Sequence, residues 1–188
     1  CIANIGGVSV TNKGQCITSG DGCRGIFSVT QTGKVSITSA GNDPTSGDGS
    51  RGNFSITNTG NVSITSTGNV STSGNDTRAV AIYGVAITGN VSITSMGNVS
   101  TTQGVSTAIS GVAYTAGNVN ITSTGNVSTM GAYSTGIYGQ ASTGDVIIIS
   151  SGTVSTQGDF SGAVDGRVQV NGNVSIASSG DISTQGAS

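Results

Sequence analysis

The sequence lacks several residue types on which common protein functions depend. Its 188 residues include no Trp, no His and no Glu, one Pro, and only 7% charged residues. Without His, a serine protease within this chain is excluded, because no side chain can act as the base of the triad. Six Lys and Arg against eight Asp leave a net charge of −2, which argues against binding nucleic acid through its phosphates. Since Glu, Leu, Lys and Arg are absent or scarce, a helical protein is excluded as well.

Four small or polar residue types dominate the chain instead. Gly supplies 32 residues, Ser and Thr together 56, and Asn 15, which is more than half of the total. Such a composition also occurs in flexible linkers and disordered segments. Here, however, 34% of the residues are hydrophobic, they are mainly Val, Ile and Ala, and they recur in a strict order. We therefore interpret the composition as that of a repeat protein.

A repeat of 27 to 29 residues runs through the chain. Each repeat begins with a block of the form Gly-x-Val-Ser-Ile-Thr and continues with a second motif, Gly-Asn-Val-Ser-Thr in its clearest form. A looser third segment closes the repeat, as in residues 81–84 (Ala-Ile-Tyr-Gly) and 136–139 (Gly-Ile-Tyr-Gly). Each repeat therefore predicts three short strands separated by glycine corners. The first block starts at Gly6, Gly33, Gly60, Gly89, Gly117, Gly144 and Gly172.

The alternation of apolar and polar residues predicts how the repeats stack. In residues 60–65, Val62 and Ile64 alternate with polar residues, as in a half-buried strand. One repeat cannot bury its own apolar face, but stacked repeats can. A repeat of about 27 residues at roughly 3.3 Å each gives a perimeter of about 90 Å, which suits a three-sided coil. We predict an all-β fold, a single domain over residues 1–188 that forms a three-sided parallel β-solenoid of six to seven coils.

Asn residues recur beside the predicted corners in two columns. Stacked Asn side chains can bond from coil to coil, so we interpret these columns as structural ladders. The first column holds Asn61, Asn90, Asn118 and Asn173, with Asp145 in the same position, and the second holds Asn69, Asn98 and Asn126.

Two stretches of the chain resemble a known family. Residues 60–72, Gly-Asn-Val-Ser-Ile-Thr-Ser-Thr-Gly-Asn-Val-Ser-Thr, and residues 134–140, Ser-Thr-Gly-Ile-Tyr-Gly-Gln, are similar to the passenger repeats of bacterial autotransporters and of filamentous-haemagglutinin-type exoproteins. The resemblance covers almost the whole chain and implies a right-handed parallel β-helix. It also implies export to the bacterial cell surface. It does not select an activity, because such passengers include adhesins, aggregation factors, toxins and proteases.

The two ends of the chain carry no capping helix and no polar capping repeat. An uncapped solenoid exposes sheet edges that can pair with another chain. Two interpretations stay open, a segment of a longer stalk and a protein whose copies stack end to end.

The cysteines lie close together near the first repeats. Cys16 occupies a Val position of the repeat and Cys23 a Ser position, on either side of a predicted turn over residues 19–22. In an extracellular protein a disulfide between them is expected, and two small buried thiols are the alternative. Cys1 is left without an assigned partner. With no CxxC pair and no His, the sequence does not predict a zinc site.

Two further departures from the repeat lie within predicted strands. Asp43-Pro44 should interrupt its strand with a local loop or break, because Pro cannot donate to a strand ladder. Ile147 and Ile149 stand where other coils place outward Ser and Thr, and two exposed Ile on a flat face indicate a contact with a partner. A local shift in register is the alternative explanation.

Four charged residues repeat at an interval of 27 residues. Asp21 and Asp48, and likewise Arg24 and Arg51, occupy the same places in the motif Gly-Asp-Gly-x-Arg-Gly. Stacked coils would bring like residues together, which predicts a surface ion ladder, with a weak cation site as the alternative.

Three functions are weighed against these features. We predict a structural or adhesive extracellular rod, without cofactor or membrane insertion, whose partners are neighbouring coils, copies of itself, or a host-cell or glycan surface. An enzyme is disfavoured, because the Asp residues lie one or two per coil and do not gather in a groove. Ice binding is the alternative, through an outward face of hydroxyls formed by Ser9, Thr11, Ser36, Thr38, Ser63, Thr65, Ser92 and Thr94.

Overall fold

The described part of the chain consists of strands and the corners between them. A computed structural model describes residues 2–74, 79–102 and 104–187, and Cys1 lies outside this part of the chain. These residues form 21 strands and no helix, which confirms the all-β prediction. Accordingly, they offer no helical segment that could cross a membrane.

The strands form three parallel sheets of seven strands each. Sheet 1 contains β1 (Ile2–Ile5), β4 (Arg24–Thr32), β7 (Arg51–Thr59), β10 (Val80–Thr88), β13 (Thr107–Ala116), β16 (Thr135–Thr143) and β19 (Gly162–Asn171). Sheet 2 contains β2 (Val8–Asn12), β5 (Val35–Ser39), β8 (Val62–Ser66), β11 (Val91–Ser95), β14 (Val119–Ser123), β17 (Val146–Ser150) and β20 (Val174–Ser178). Sheet 3 contains β3 (Thr18–Ser19), β6 (Asp43–Ser46), β9 (Val70–Ser73), β12 (Val99–Thr101), β15 (Val127–Thr129), β18 (Val154–Gln157) and β21 (Ile182–Gln185).

Each strand pairs with its equivalent in the next repeat, so that equal residues stack in columns. In sheet 2, Ile37 pairs with Ile64, and Ile64 pairs with Ile93. The polar residues between them point outward, because successive side chains of a strand alternate between the two faces. The predicted three-sided parallel β-solenoid is therefore confirmed. Its interior combines aliphatic columns with columns of buried Ser and Thr, such as Thr72, Thr101 and Thr129. The aliphatic side chains that sheet 2 contributes are Val35, Ile37, Val62, Ile64, Val91, Ile93, Val119, Ile121, Val146 and Ile148.

The corners require glycine for two different reasons. Gly60 opens its repeat with a φ of 138°, in a region that side chains rarely enter. Gly68 has no such φ, but a Cβ atom there would lie 2.1 Å from the carbonyl oxygen of Gly41 in the preceding coil. The coils thus approach one another too closely at the corners for any side chain.

The two Asn columns form ladders, as predicted, and the structure identifies their donor. The Asn61 Oδ1 atom accepts a hydrogen bond of 2.9 Å from the backbone N–H of Asn90, whose own Oδ1 accepts from Asn118 at 2.8 Å. The second column repeats this arrangement from Asn69 to Asn98 at 2.9 Å. Each Asn side chain therefore accepts a hydrogen bond from a backbone N–H at the next corner. Without it, that N–H would lack a hydrogen-bond partner.

The predicted break at Asp43-Pro44 is wrong, because both residues belong to β6. Pro44 pairs in register with Ser71. The Asp43 N–H donates to Asn69 in the next coil, so the alternation of a strand turns the Pro44 nitrogen toward the preceding coil. There β3 begins only at Thr18. The Cys16 N–H donates to the Asn42 carbonyl, so the parallel ladder turns the Cys16 carbonyl toward the Pro44 nitrogen, which has no proton to donate. The ladder therefore loses one hydrogen bond at the ring and pairs again from Thr18 onward.

Replacing one buried column residue with an acid should unfold the stack around it. Ile64 is 1% exposed, so Ile64→Asp buries an unpaired carboxylate and should lower the free energy of unfolding by about 4 kcal/mol or more. Thr65→Asp, on the outward side of the same strand, is the control and should change it by less than about 1 kcal/mol. Denaturant unfolding followed by circular dichroism measures both values. An Ile64→Asp protein as stable as its control would contradict the inward assignment.

Candidate functional site

The predicted hydroxyl face lies on the outer side of sheet 2. Its Ser and Thr residues stack in two columns over four consecutive coils, with Ser9 on Ser36 and Thr11 on Thr38 at one end. The columns continue in register through Ser63 and Thr65 to Ser92 and Thr94. Rows about 4.8 Å apart, with roughly 6.6 Å between the two hydroxyls of a row, make a regular array. Asn120, Ile147, Ile149 and Ala177 interrupt it in the later coils.

Ile147 and Ile149 belong to the same outer face. They stack in register on Asn120 and Thr122, so the alternative of a register shift is excluded. Their exposed fractions are 38% and 47%. The outward placement is confirmed, and a contact with a partner stays a prediction.

The two described cysteines do not form the predicted disulfide, because both are free. The half-buried Cys16 side chain packs against the hydrophobic core and its thiol donates to the Gly25 carbonyl at 3.1 Å. Cys23 lies at the corner, where its thiol donates to the Ser19 carbonyl at 3.3 Å. The two side chains point to different surroundings, which explains why sequence proximity is misleading here. Burial, and then the charge of Asp43, raises the pKa of Cys16 and keeps it protonated.

A buried carboxylate lies in the core of the second coil. Asp43 is fully buried and pairs with Val70, so it occupies a column that is Val in the following coils. The Ser39 hydroxyl donates to its Oδ2 atom at 2.5 Å, and the Asn12 amide donates to Oδ1 at 3.1 Å. Burial raises the pKa of Asp43, while these hydrogen bonds act in the opposite direction. Beside it lies the buried Asn53 amide, in a column that is otherwise aliphatic, and its hydrogen bond to the carboxylate also lowers the pKa of Asp43.

The repeated charged residues contribute to two different arrangements. The Asp21 carboxylate accepts a hydrogen bond of 3.1 Å from the backbone N–H of Asp48, as Asn does in the ladders. Arg24 and Arg51 stack in register on the outer face of sheet 1. Their guanidinium groups lie over aromatic rings, with the Arg24 Cζ atom 4.3 Å from the centre of the Phe27 ring. The arginines are therefore held by cation–π contacts as part of an aromatic surface.

That surface is a column of rings, here called the aromatic column, made of Phe27, Phe54, Tyr83 and Tyr138. The ring centres of Phe27 and Phe54 are 5.2 Å apart, and those of Phe54 and Tyr83 are 5.3 Å apart with planes within 9°. Ser110 occupies the next position in register, and Tyr138 follows on the strand beyond it. A small side chain thus interrupts the column between two tyrosines.

The interruption opens a cavity of about 550 Å³, here called the tyrosine slot. Tyr83 and Tyr138 lie on the strands to either side of Ser110. The rest of the lining consists of Arg51, Val80, Thr107, Val112, Tyr114 and Gln140. Burial and the neighbouring Tyr114 raise the pKa of Tyr83 to about 12. The Tyr138 hydroxyl donates to the Gln140 Oε1 atom. Burial also raises the pKa of Tyr138, so both phenols stay neutral at physiological pH, with the Tyr83 hydroxyl hydrogen-bonded to Tyr114 and the Tyr138 hydroxyl to Gln140.

The tyrosine slot is not apparent from the sequence alone. Its signal is present in the third segment of the repeat, where Phe27, Tyr83 and Tyr138 share one position. Insertions of one or two residues shift the spacing there, and only the observed register aligns Ser110 with the tyrosines.

The fold defines the class of protein, a three-sided parallel β-solenoid built from repeats. The chain matches no protein-family model, and no curated protein and no solved structure is significantly similar to it. The resemblance to autotransporter passengers therefore stays a prediction.

The pKa of Asp43 predicts a specific dependence of stability on pH. A raised pKa means that the folded state holds this proton more tightly than the unfolded state. The free energy of unfolding should therefore fall as the pH rises from about 4 to the folded pKa, and this contribution stays lost above it. Asp43→Val should remove this slope and change the stability at pH 7 by no more than about 1–2 kcal/mol, because the loss of the buried carboxylate also leaves the Ser39 hydroxyl without its acceptor.

Urea unfolding at a series of pH values measures the difference between Asp43→Val and the unsubstituted protein. Asp181→Asn, at an exposed position, is the control and should leave the slope unchanged. Equal slopes in Asp43→Val and the unsubstituted protein would contradict the proposed titration of Asp43.

Proposed function

We propose that this protein is a structural segment of an extracellular rod on the bacterial surface, with an adhesive role, in which copies of the chain stack end to end. The observation that carries the proposal is a single glycine, Gly14, at the second corner of the first coil. The extracellular location rests on the resemblance to surface passengers.

No atom of the described residues lies where a side chain at position 14 would point. The φ of Gly14 lies in the ordinary range, and a Cβ atom added there would meet nothing within 4 Å. At the equivalent corners a Cβ atom would collide with the coil before, as at Gly41, where it would lie 1.8 Å from the Gly14 carbonyl oxygen. Gly68, Gly97, Gly125, Gly152 and Gly180 share this close contact, at 2.1 to 2.4 Å. A glycine at position 14 is therefore expected if another coil stacks beneath the first one.

The last coil of a second copy offers the matching surface. Its corner carbonyls at Gly172, Gly180 and Gly186 stand in the columns of Gly6, Gly14 and Gly20. The inward side chains of this coil, such as Val174 and Ile176, are 44% and 45% exposed because no coil covers them. Stacking would bury them and extend the ladders of backbone hydrogen bonds, with a gain of roughly 1.5–3 kcal/mol per fully buried aliphatic side chain.

The rest of the surface supports a role without catalysis. Asp165 is held by Arg167 at 2.6 Å, and Asp43 lies in the core with its own partners. The arrangement leaves extended faces of hydroxyl, amide and aromatic groups, which suit adhesion to another surface.

Gly14→Val should prevent end-to-end stacking without unfolding the chain. The new side chain has open space in the single chain, but in a stack it would meet a carbonyl oxygen of the neighbouring copy. Analytical ultracentrifugation over a range of protein concentrations should show growing assemblies for the unsubstituted protein and a monomer for Gly14→Val. Circular dichroism should give the same strand content for both.

Gly162→Thr provides the matched control for this experiment. A Cβ atom at Gly162 also meets nothing within 4 Å, but its column, shared with Thr107 and Thr135, faces outward. This variant should assemble like the unsubstituted protein. A monomeric unsubstituted protein at every concentration, or assembly of Gly14→Val, would contradict the proposal.

Ice binding is a second candidate, favoured by the regular array of the hydroxyl face. Flat rows of hydroxyls and methyls can order water in a repeating pattern, and four coils of sheet 2 carry such rows in register. If this function holds, the protein at micromolar concentration should produce thermal hysteresis, and Thr65→Lys in the centre of the array should abolish it. Absence of both thermal hysteresis and inhibition of ice recrystallisation would eliminate this candidate.

A further inference from the structure

We propose that the tyrosine slot binds a pyranose ring of a glycan, inserted between Tyr83 and Tyr138. The proposal names a ligand class for the adhesive part of the proposed function and does not depend on end-to-end stacking. It rests on the spacing of the aromatic column and on the chemistry of the groups around the slot.

The spacing of the strands sets the width of the slot. Tyr83 lies on β10 and Tyr138 on β16, with β13 and its Ser110 between them. Neighbouring strands are about 4.8 Å apart, so the two tyrosine positions are separated by roughly 9.6 Å. A ring placed above Ser110 would stand about 4.8 Å from each, close to the 5.2 and 5.3 Å between the rings already stacked in the column. The slot therefore has the width of one missing ring.

The groups around the slot select the kind of ring. Ser110, Gln140 and the Tyr114 hydroxyl are polar, and the Arg51 guanidinium lies at the side nearest Tyr83, 5.3 Å from the centre of its ring. An aromatic ligand with at most one hydroxyl would remove water from these groups and offer few hydrogen bonds in return, which costs free energy. A pyranose has C–H faces that can stack on the two tyrosines and hydroxyl groups at its edge. A pyranose can therefore stack on the tyrosine rings and hydrogen-bond with the polar groups in the same position.

The slot is also open to a chain of sugars. Tyr114, which lines it, is 50% exposed, so the site lies at the surface of sheet 1 and is not enclosed. A ring that is one unit of a longer glycan can enter while its neighbours lie along the sheet. The same position on the other two sheets offers no comparable pair of rings among the described residues.

The test uses Gly14→Val protein, so that the outcome is independent of assembly. The probes are hexasaccharides built from glucose, galactose, mannose or N-acetylglucosamine, followed by saturation-transfer NMR and isothermal titration calorimetry, with p-cresol as the aromatic competitor. At least one hexasaccharide should bind, and p-cresol should bind more weakly than it does. Tyr138→Ala should raise the dissociation constant at least about tenfold, while Tyr138→Phe, which keeps the ring, should retain most of the affinity.

Ser110→Tyr is the decisive variant, because it supplies the missing ring from the protein itself. A tyrosine fits this column, where Phe54 and Tyr83 already stack, so the fold should be kept and saccharide binding lost. Ser155→Tyr, on the outer side of sheet 3, is the matched control and should bind like the parent. The proposal is overturned if every hexasaccharide fails to bind, if p-cresol binds more tightly than all of them, or if Ser110→Tyr binds as the parent does.

Discussion

The close approach of successive coils at the glycine corners is the constraint on which the structure depends. A Cβ atom at most corners would lie about 2 Å from a carbonyl oxygen of the coil before, so glycine fixes how tightly the coils stack. Only at this spacing do the backbone ladders of all three sheets form together, and only then do the Asn side chains reach the next corner. The high glycine content and the regular register are therefore two aspects of one requirement.

Inward and outward columns are subject to different constraints. Inward columns must hold residues of similar size, because each side chain packs on its equivalents in the two neighbouring coils. Outward columns are free to vary, and there the faces of two sheets differ in chemistry: hydroxyls on sheet 2, and rings with arginines on sheet 1. Function is accordingly sought where an outward column changes its residue, as at Ser110 and Ile147. Asp43 and Asn53 are polar exceptions in inward columns, and the hydrogen bonds of Asp43 to Ser39 and Asn12 offset part of the cost of its burial.

Much of this architecture follows from the sequence, because the repeat indicates which residues of neighbouring coils are aligned. Val62 and Ile64 recur at fixed intervals, so their columns, the glycine corners and the Asn ladders could be predicted. The placement of Pro44 within a strand could not be predicted, because it depends on the short strand in the coil before it. The state of Cys16 and Cys23 depends on the directions of two side chains, which spacing along the chain does not give. The tyrosine slot depends on an alignment across insertions that pattern matching leaves ambiguous.

Electron cryomicroscopy of the unsubstituted protein is the most direct test of the central proposal, that copies of the chain stack end to end. Seven coils at about 4.8 Å make one chain roughly 30 Å long. The account predicts rods several times longer, with an unbroken spacing of about 4.8 Å through each junction and the columns of glycine aligned across it. Particles no longer than a single chain at every concentration, or junctions in which the coils do not stack, would contradict it.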